Sequence, residues 1–157
     1  EENGDTLNNK KVSIIGAGGA ARAIAFGLKE KGCDITIYNR TIERAEKLSN
    51  DVKCRFERFE EINKLDSDIL INTTPVGMFP EANRTPVPEN VLKEGMIVFD
   101  AVYNPIETKL LRDARERGCH TVNGLTMFIN QAAEQFRLWT NIDPPVELMN
   151  DVVRKIL

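Results

Sequence analysis

The sequence has little of what marks a protein that binds nucleic acid or enters a membrane. Its 21 lysine and arginine residues are outnumbered by 24 aspartate and glutamate residues, giving a formal net charge of −3, and no basic block occurs. Nucleic-acid binders usually carry a clustered positive patch. No apolar run approaches the roughly 20 residues that span a bilayer, and the N-terminus lacks the apolar core of a signal peptide. We therefore expect a cytoplasmic protein with no nucleic-acid or membrane partner.

Cysteine and histidine are scarce as well. The three cysteines, Cys33, Cys54 and Cys119, are odd in number and form no C-x-x-C pair. This pattern favours neither a disulfide framework nor a zinc site, so we expect buried thiols in a reducing compartment and no metal ion. His120 is the only histidine, and it opens a short apolar run. We interpret it as a structural or surface residue rather than a catalytic one.

What the sequence does contain is a dinucleotide-binding fingerprint. The β-branched run from Val12 to Ile15 breaks into a glycine turn, and an amphipathic helical pattern follows as far as Gly32. In such a unit one glycine makes the turn, a second lets a pyrophosphate approach the backbone, and free N–H groups at the helix start attract its charge. The residues predicted to bind the pyrophosphate are Gly16, Ala17, Gly18, Gly19 and Ala20.

The end of the second predicted strand, residues 34–39, distinguishes the two nicotinamide dinucleotides. An NAD site usually has Asp or Glu there to bind the ribose 2′-hydroxyl. This sequence has Asn39-Arg40-Thr41, with Arg44 one helical turn later. Guanidinium groups bind phosphate in a bidentate fork, so the pattern predicts NADP rather than NAD. In the alternative interpretation, Thr41 is only a helix N-cap and the arginines are solvated surface charges.

The remaining sequence alternates short apolar runs with amphipathic patterns. Strands are predicted over residues 12–15, 34–39, 54–56, 68–72, 96–101 and 119–122. Helices are predicted over residues 20–31, 45–52, 108–117, 125–139 and 146–157, with a short helix or turn over 59–65. We expect Trp139 to pack the long helix 125–139 against the sheet.

Alternating strands and helices predict an α/β fold. We expect a Rossmann-type, doubly wound parallel sheet in three layers, with about six strands in the order 3-2-1-4-5-6 and a C-terminal helical extension. Residues 11–157 would form this NADP-binding domain, and residues 1–10 a linker or tail. Ligands of such sheets bind beyond the carboxyl ends of the strands, at the point where the strand order reverses.

Five motifs in this order and spacing resemble a known family. They are GAGGAARA, NRTIERA, NTTPVGM, DAVYNPIETKLL and NGLTMFINQAAEQFRLWT. Together they resemble the C-terminal, NADP-binding domain of shikimate dehydrogenases, over nearly the whole chain from Lys11 onward. The first two motifs also occur in glutamyl-tRNA reductase and other NADP-binding relatives. The last two, which contain Y-N-P-x-x-T and G-x-x-M-x-x-x-Q, are more specific.

The resemblance assigns roles to individual residues. Beyond the glycine turn, the implied cofactor contacts are Asn39, Arg40, Thr41 and Arg44 at the adenosine 2′-phosphate, Thr73 and Thr74 near the ribose, and Ala101, Gly124 and Met127 around the nicotinamide. The family often has a bulkier apolar residue at the position of Ala101, so looser packing against the ring is expected there. Tyr103 and Gln131 would reach hydroxyl and carboxylate groups of shikimate.

The resemblance also implies an NADPH-dependent oxidoreductase that reduces 3-dehydroshikimate to shikimate, in the chorismate pathway of aromatic amino-acid biosynthesis. In the family, the lysine and aspartate that handle the alcohol proton lie in an N-terminal domain, which we expect to be missing from this chain. Reduction of a ketone needs a proton donor at the developing alkoxide. Lys109 is expected to face water, so we assign no catalytic residue. We predict a chain that binds NADP(H) without turnover, shares its small-molecule substrate with the N-terminal domain, and could belong to a full-length homodimer.

Three alternatives stay open. A non-catalytic or regulatory NADP-binding module would share the fingerprint but would not need Tyr103 and Gln131 at an open cleft. A glutamyl-tRNA reductase domain would share the first two motifs but should present a basic, tRNA-facing surface. A quinate dehydrogenase would differ only in detail, although Arg40 and Arg44 count against its common NAD-dependent form.

Overall fold

The computed structural model describes residues 7–157, so residues 1–6 of the predicted tail lie outside the described range. Six parallel strands form one sheet in the order β3-β2-β1-β4-β5-β6. The strands are β1 (Lys11–Ile15), β2 (Asp34–Asn39), β3 (Arg55–Arg58), β4 (Ile69–Asn72), β5 (Ile97–Asp100) and β6 (His120–Asn123). The predicted α/β class and strand order are confirmed.

Within residues 7–157, five α-helices and two 3₁₀ turns connect and extend the sheet. The helices are α1 (Gly19–Glu30), α2 (Ile42–Val52), α3 (Lys109–Glu116), α4 (Leu125–Thr140) and α5 (Val146–Ile156). The 3₁₀ turns are Phe59–Lys64, where a short helix or turn was predicted, and Glu89–Val91, which no pattern indicated. Within residues 7–157 no helix has both the length and the apolar character needed to cross a bilayer.

The sheet buries both of its faces because successive side chains of a strand point to opposite sides. On one face, Ile14 packs in a cluster with Ala25 of α1 and Leu48 of α2. On the other, Ile15 belongs to a cluster that includes Leu110 of α3. The small side chains along α1 let that helix approach the sheet closely. Helices on both faces of one parallel sheet make the expected three layers.

The strand order reverses beside β1, which pairs with β2 on one side and β4 on the other. All six strands are parallel, so their carboxyl ends meet at one edge of the sheet. The register places Ile15 beside Tyr38 and Asn72, and Asn72 beside Asp100. The loops that follow β1, β2, β4 and β5 are thereby brought together.

The expectation that Trp139 packs against the sheet is wrong, because its side chain is 81% exposed. The buried residues of α4 are Leu125, Ile129 and Ala133, which form a stripe at four-residue spacing. A helix turns about 100° per residue, so Trp139, six residues after Ala133, points away from that stripe. The end of α4 therefore turns its largest apolar side chain outward.

The central strand β4 provides a test of the fold. Leu70 is fully buried, and we expect Leu70→Ala to reduce the free energy of unfolding by about 2–5 kcal/mol, because it removes buried methyl groups and leaves a cavity. Urea unfolding followed by circular dichroism measures the change. Leu148→Ala is the control, since Leu148 on α5 is 61% exposed and its truncation should change stability by less than about 0.5 kcal/mol. Equal effects at both positions would contradict this packing.

Candidate functional site

A cavity of about 360 Å³ opens at the carboxyl edge of the sheet, where the strand order reverses. It lies between the glycine turn after β1, the β2–α2 turn and the loop after β4. Eight residues predicted to contact the cofactor line it, namely Gly16, Ala17, Gly18, Asn39, Arg40, Arg44, Thr73 and Thr74. The predicted residues Gly19, Ala20 and Thr41 are chain neighbours of these but do not line the cavity. The structure thus gathers these residues from three separate segments at one place.

The glycines of the turn serve two different purposes. Gly16 has φ +108°, and a Cβ there would lie 2.4 Å from the Thr73 hydroxyl oxygen, so both the turn and the packing require glycine. At Gly18 and Gly19 a Cβ would meet no atom within 4 Å. Their backbone is therefore open on the outer side, where a ligand can approach it closely.

The N-terminus of α1 is suited to an anion. Among residues 7–157, the backbone N–H groups of Gly18, Gly19 and Ala20 donate to no other group. The first turn of α1 carries no acidic side chain, and no side chain caps it. Unsatisfied N–H groups and the helix dipole together attract a phosphate. The turn can therefore hold a pyrophosphate, as predicted from its sequence.

The β2–α2 turn contributes positive charge. The side chains of Arg40 and Arg44 are exposed, and within the described chain neither pairs with a carboxylate. Among residues 7–157 no Asp or Glu lines the cavity. Asn39 donates its side-chain amide to the Thr41 carbonyl at 2.8 Å, which holds the turn. Thr41 occupies the N-cap position of α2 as expected, but its hydroxyl makes no capping hydrogen bond.

A buried polar network lies beneath the cavity and was not predicted. The Asp100 carboxylate accepts hydrogen bonds from the Thr108 hydroxyl at 2.6 Å, the Asn72 amide at 2.9 Å and the Val102 N–H at 3.0 Å. The Asn72 side-chain oxygen in turn accepts from the Thr74 hydroxyl at 2.7 Å. This network fixes the position of Thr74 at the cavity wall. A polar residue at the end of each apolar strand is the sequence signal that could have revealed it.

Burial raises the pKa of the Asp100 carboxyl above its usual range, and the three donors oppose this shift. All of these donors present hydrogens to carboxylate oxygens, so the network is built for the ionised form. It is also joined to α3, because the Thr108 hydroxyl accepts from the Leu111 N–H and caps that helix. The strand ends and the start of α3 are therefore held as one unit.

The residues predicted around the nicotinamide lie beyond β5 and β6. A Cβ at Gly124 would be 2.4 Å from the Ala101 carbonyl oxygen, so these two backbones are in direct contact. Met127 and Gln131 line a second, wider cavity of about 760 Å³ between α4 and the edge of β5 and β6. Tyr103 does not line it and instead stacks on Phe128 of α4, with 4.1 Å between ring centroids. Phe128 and Gln131 are one helical turn apart, so Tyr103 lies against the helix that carries Gln131.

The two candidates for a proton donor, His120 and Lys109, line neither cavity. His120 is exposed at the amino end of β6, on the opposite edge of the sheet. The expected exposure of Lys109 to water is only partial, because its side chain is 32% exposed and its ammonium group donates to both carboxylate oxygens of Asp113 at 2.6 and 2.8 Å. Along the described part of the chain, no three His, Cys, Asp or Glu side chains are grouped to hold a metal ion.

Known proteins resemble this chain in sequence and in fold. The family described as Shikimate / quinate 5-dehydrogenase matches residues 1–106, more than half of the chain. The chain belongs to the shikimate/quinate 5-dehydrogenase family. The Shikimate 5'-dehydrogenase C-terminal domain also matches, over residues 124–154. The resemblance drawn from the five sequence motifs is confirmed.

Individual members of this family cover the chain almost completely. Shikimate dehydrogenase (NADP(+)) of Methanosarcina mazei is 44% identical over 99% of this chain and 59% of its own length. Shikimate 5-dehydrogenase of Thermus thermophilus, solved with NADP(H) and shikimate, is 34% identical with a TM-score of 0.83, over 99% of this chain and 58% of its own. Quinate dehydrogenase of Corynebacterium glutamicum, solved with NAD, is 30% identical with a TM-score of 0.87, over 98% of this chain and 57% of its own. The chain therefore spans less than three fifths of each of these relatives.

The buried network yields a prediction about stability. Thr108→Val keeps the shape of the side chain but removes the donor to Asp100 and the cap of α3. We expect the free energy of unfolding to fall by about 2–4 kcal/mol at pH 7, measured by urea unfolding. Thr121→Val is the matched control, because the half-buried Thr121 on β6 makes no side-chain hydrogen bond among the described residues. A similar change at both positions would show that the network contributes nothing.

The same variant should change the pH dependence of stability. Because the native pKa of Asp100 is raised, its contribution is fully present below the unfolded pKa and is lost as pH rises through the native value. Removing a donor to the carboxylate raises that native pKa further. The destabilisation by Thr108→Val should therefore be smaller at about pH 4 than at pH 7. A pH-independent difference would contradict an ionised Asp100 in the network.

Proposed function

We propose that this chain is the NADP(H)-binding part of an NADPH-dependent dehydrogenase that reduces 3-dehydroshikimate to shikimate, a step toward chorismate and the aromatic amino acids. The observation that carries the proposal is the pair of arginines, Arg40 and Arg44, at a cavity that no carboxylate of residues 7–157 lines, beside the open N-terminus of α1. The names of the Methanosarcina and Thermus relatives support the substrate and the cofactor. A cytoplasmic location is part of the proposal, and three free thiols are compatible with it.

The residues at the cavity fit the parts of NADP(H). The free N–H groups at the start of α1 would hold the pyrophosphate, and the two guanidinium groups would hold the 2′-phosphate. At the position where NAD sites usually carry a carboxylate, Asn39 has its amide occupied by the Thr41 carbonyl. When bound, the reduced nicotinamide supplies the hydride. The contact between Ala101 and Gly124 would form the floor beneath that ring, with Met127 at its side.

The substrate would lie across the nicotinamide from this floor. Tyr103 and Gln131 are the residues that we propose to contact it, and Phe128 supports the tyrosine ring by stacking. Within residues 7–157 neither cavity is lined by a lysine or a histidine. We therefore propose that the proton donor belongs to the portion of the relatives that this chain does not span. The substrate would be shared between that portion and this one, and a homodimer of the whole protein stays a prediction.

Quinate dehydrogenase is the second candidate. The quinate enzyme of Corynebacterium glutamicum, solved with NAD, has a TM-score of 0.87 against this chain. The two differ in the expected cofactor, since Arg40 and Arg44 favour a 2′-phosphate. A glutamyl-tRNA reductase is not supported by the family match. A purely regulatory module would have no use for Gln131 at the second cavity.

Arg40 and Arg44 provide the first functional test. We expect calorimetric titration to show tight binding of NADP and weak binding of NAD to the unmodified chain. Arg40→Gln or Arg44→Gln should weaken NADP binding by about 10- to 100-fold, the value of a charge-assisted hydrogen bond, and leave NAD binding unchanged. Arg58→Gln is the control, because Arg58 ends β3 outside the cavity. If NAD binding fell by the same factor, the arginines would not discriminate the 2′-phosphate.

A turnover assay tests the proposal that the proton donor lies outside this chain. We expect the 157-residue chain to bind NADP but to oxidise shikimate at no measurable rate. The absorbance of NADPH measures that rate. The physical reason is that, within residues 7–157, no lysine or histidine lines either cavity, and the one carboxylate that does, Glu134, is paired with Arg137. Measurable turnover would place the proton acceptor among the residues described above.

A further inference from the structure

A third arginine lines the cavity beside Arg40 and Arg44. It is Arg84, in the loop between β4 and β5, which forms a different wall of the cavity from the β2–α2 turn. No sequence motif singled this residue out. Among residues 7–157 these three arginines are the only charged residues that line the cavity.

The backbone of Arg84 is held close to the cofactor-binding loop. Its N–H donates to the Glu81 carbonyl at 3.1 Å, closing a turn over residues 81–84. Its own carbonyl lies against Gly77, where φ is +92° and a Cβ would come within 3.1 Å of that oxygen. Gly77 follows Thr74, whose position the buried network fixes. Arg84 is thus attached to a rigid part of the site although its side chain is exposed.

The side chain of Arg84 is oriented and electrically balanced by Glu81. One guanidinium nitrogen lies 2.7 Å from a Glu81 carboxylate oxygen, and both side chains are about two thirds exposed. A paired arginine exerts little net attraction on a distant phosphate, unlike the unpaired Arg40 and Arg44. The flat face of the guanidinium stays available, and such a face stacks well on an aromatic ring. Pro75 and Pro86 add rigid, uncharged surface to the same cavity.

Once the pyrophosphate and the 2′-phosphate are placed, the adenine base is the part of the dinucleotide that remains for the wall formed by the β4–β5 loop. With the pyrophosphate at the start of α1 and the 2′-phosphate at Arg40 and Arg44, the adenine base lies between the two walls. We propose that Arg84 is a cofactor-binding residue that stacks on the adenine ring, with Glu81 holding its guanidinium in place. The inference rests on the proposed dinucleotide-binding function, but it does not depend on the choice of NADP over NAD.

The test compares both dinucleotides, because they share the adenine and differ in the 2′-phosphate. Arg84→Met keeps an alkyl side chain but removes the flat cation. We expect it to weaken NADP and NAD binding by the same factor, about 3- to 30-fold, in calorimetric titration. Arg84→Tyr restores a flat ring without charge and should bring both affinities to within about 3-fold of the original. Arg117→Met is the matched control, since Arg117 forms a similarly exposed pair with Glu89, at 3.1 Å, outside the cavity.

Each other result would overturn the inference in a recognisable way. Loss confined to NADP would mean that Arg84 acts on the 2′-phosphate, and no loss would mean that it does not touch the cofactor. Loss that Arg84→Tyr fails to restore would mean that charge rather than stacking matters. If the unmodified chain bound neither dinucleotide, the proposed function would fail together with this inference. If it bound both and Arg84→Met bound them equally well, only the inference about Arg84 would fail.

Discussion

The hydrogen bond between Asn72 and Asp100, 2.9 Å long and fully buried, joins the end of β4 to the end of β5. Two consequences follow from it. Asp100 also accepts a hydrogen bond from Thr108 at the start of α3, and Asn72 accepts one from Thr74 at the cavity wall. A buried carboxylate is costly unless several donors satisfy it, so this network tolerates little rearrangement. The loop that faces the cofactor site is therefore positioned from below by polar contacts rather than by apolar packing.

The cavity recognises anions by two different means. At the start of α1 the backbone itself provides N–H groups, and this recognition does not depend on side chains. At the β2–α2 turn the guanidinium groups of Arg40 and Arg44 provide charge, and this can differ between relatives without a change of fold. In the proposed function, the general affinity for a dinucleotide and the choice between NADP and NAD would thus reside in separate parts of the same cavity. Arg84, balanced by Glu81, would contribute to the first and not to the second.

Among the described residues, the proposed cofactor site is more complete than the proposed substrate site. Tyr103 stacks on Phe128, while Gln131 faces the wider second cavity, which has the exposed edge of β5 and β6 as one wall. Lys109 and His120, the residues that could carry a proton, are respectively paired with Asp113 and placed at the far edge of the sheet. Such an arrangement suits the proposed role of a chain that spans under three fifths of its relatives, in which it would hold the cofactor while the missing portion supplies the proton donor.

The sequence by itself determined the strand–turn–helix unit, the strand order and the arginines after β2. These depend on local signals: the glycine turn, the period of the apolar residues and the residue types at strand ends. Only the tertiary structure decided how Asn72, Asp100 and Thr108 join, because hydrogen bonds across 28 and 8 residues leave no periodic pattern. It also decided that Trp139 faces outward, since the rotation of α4 against the sheet is set by the Leu125 stripe, and that Arg84 shares the cavity of Arg40, since a loop brings it there.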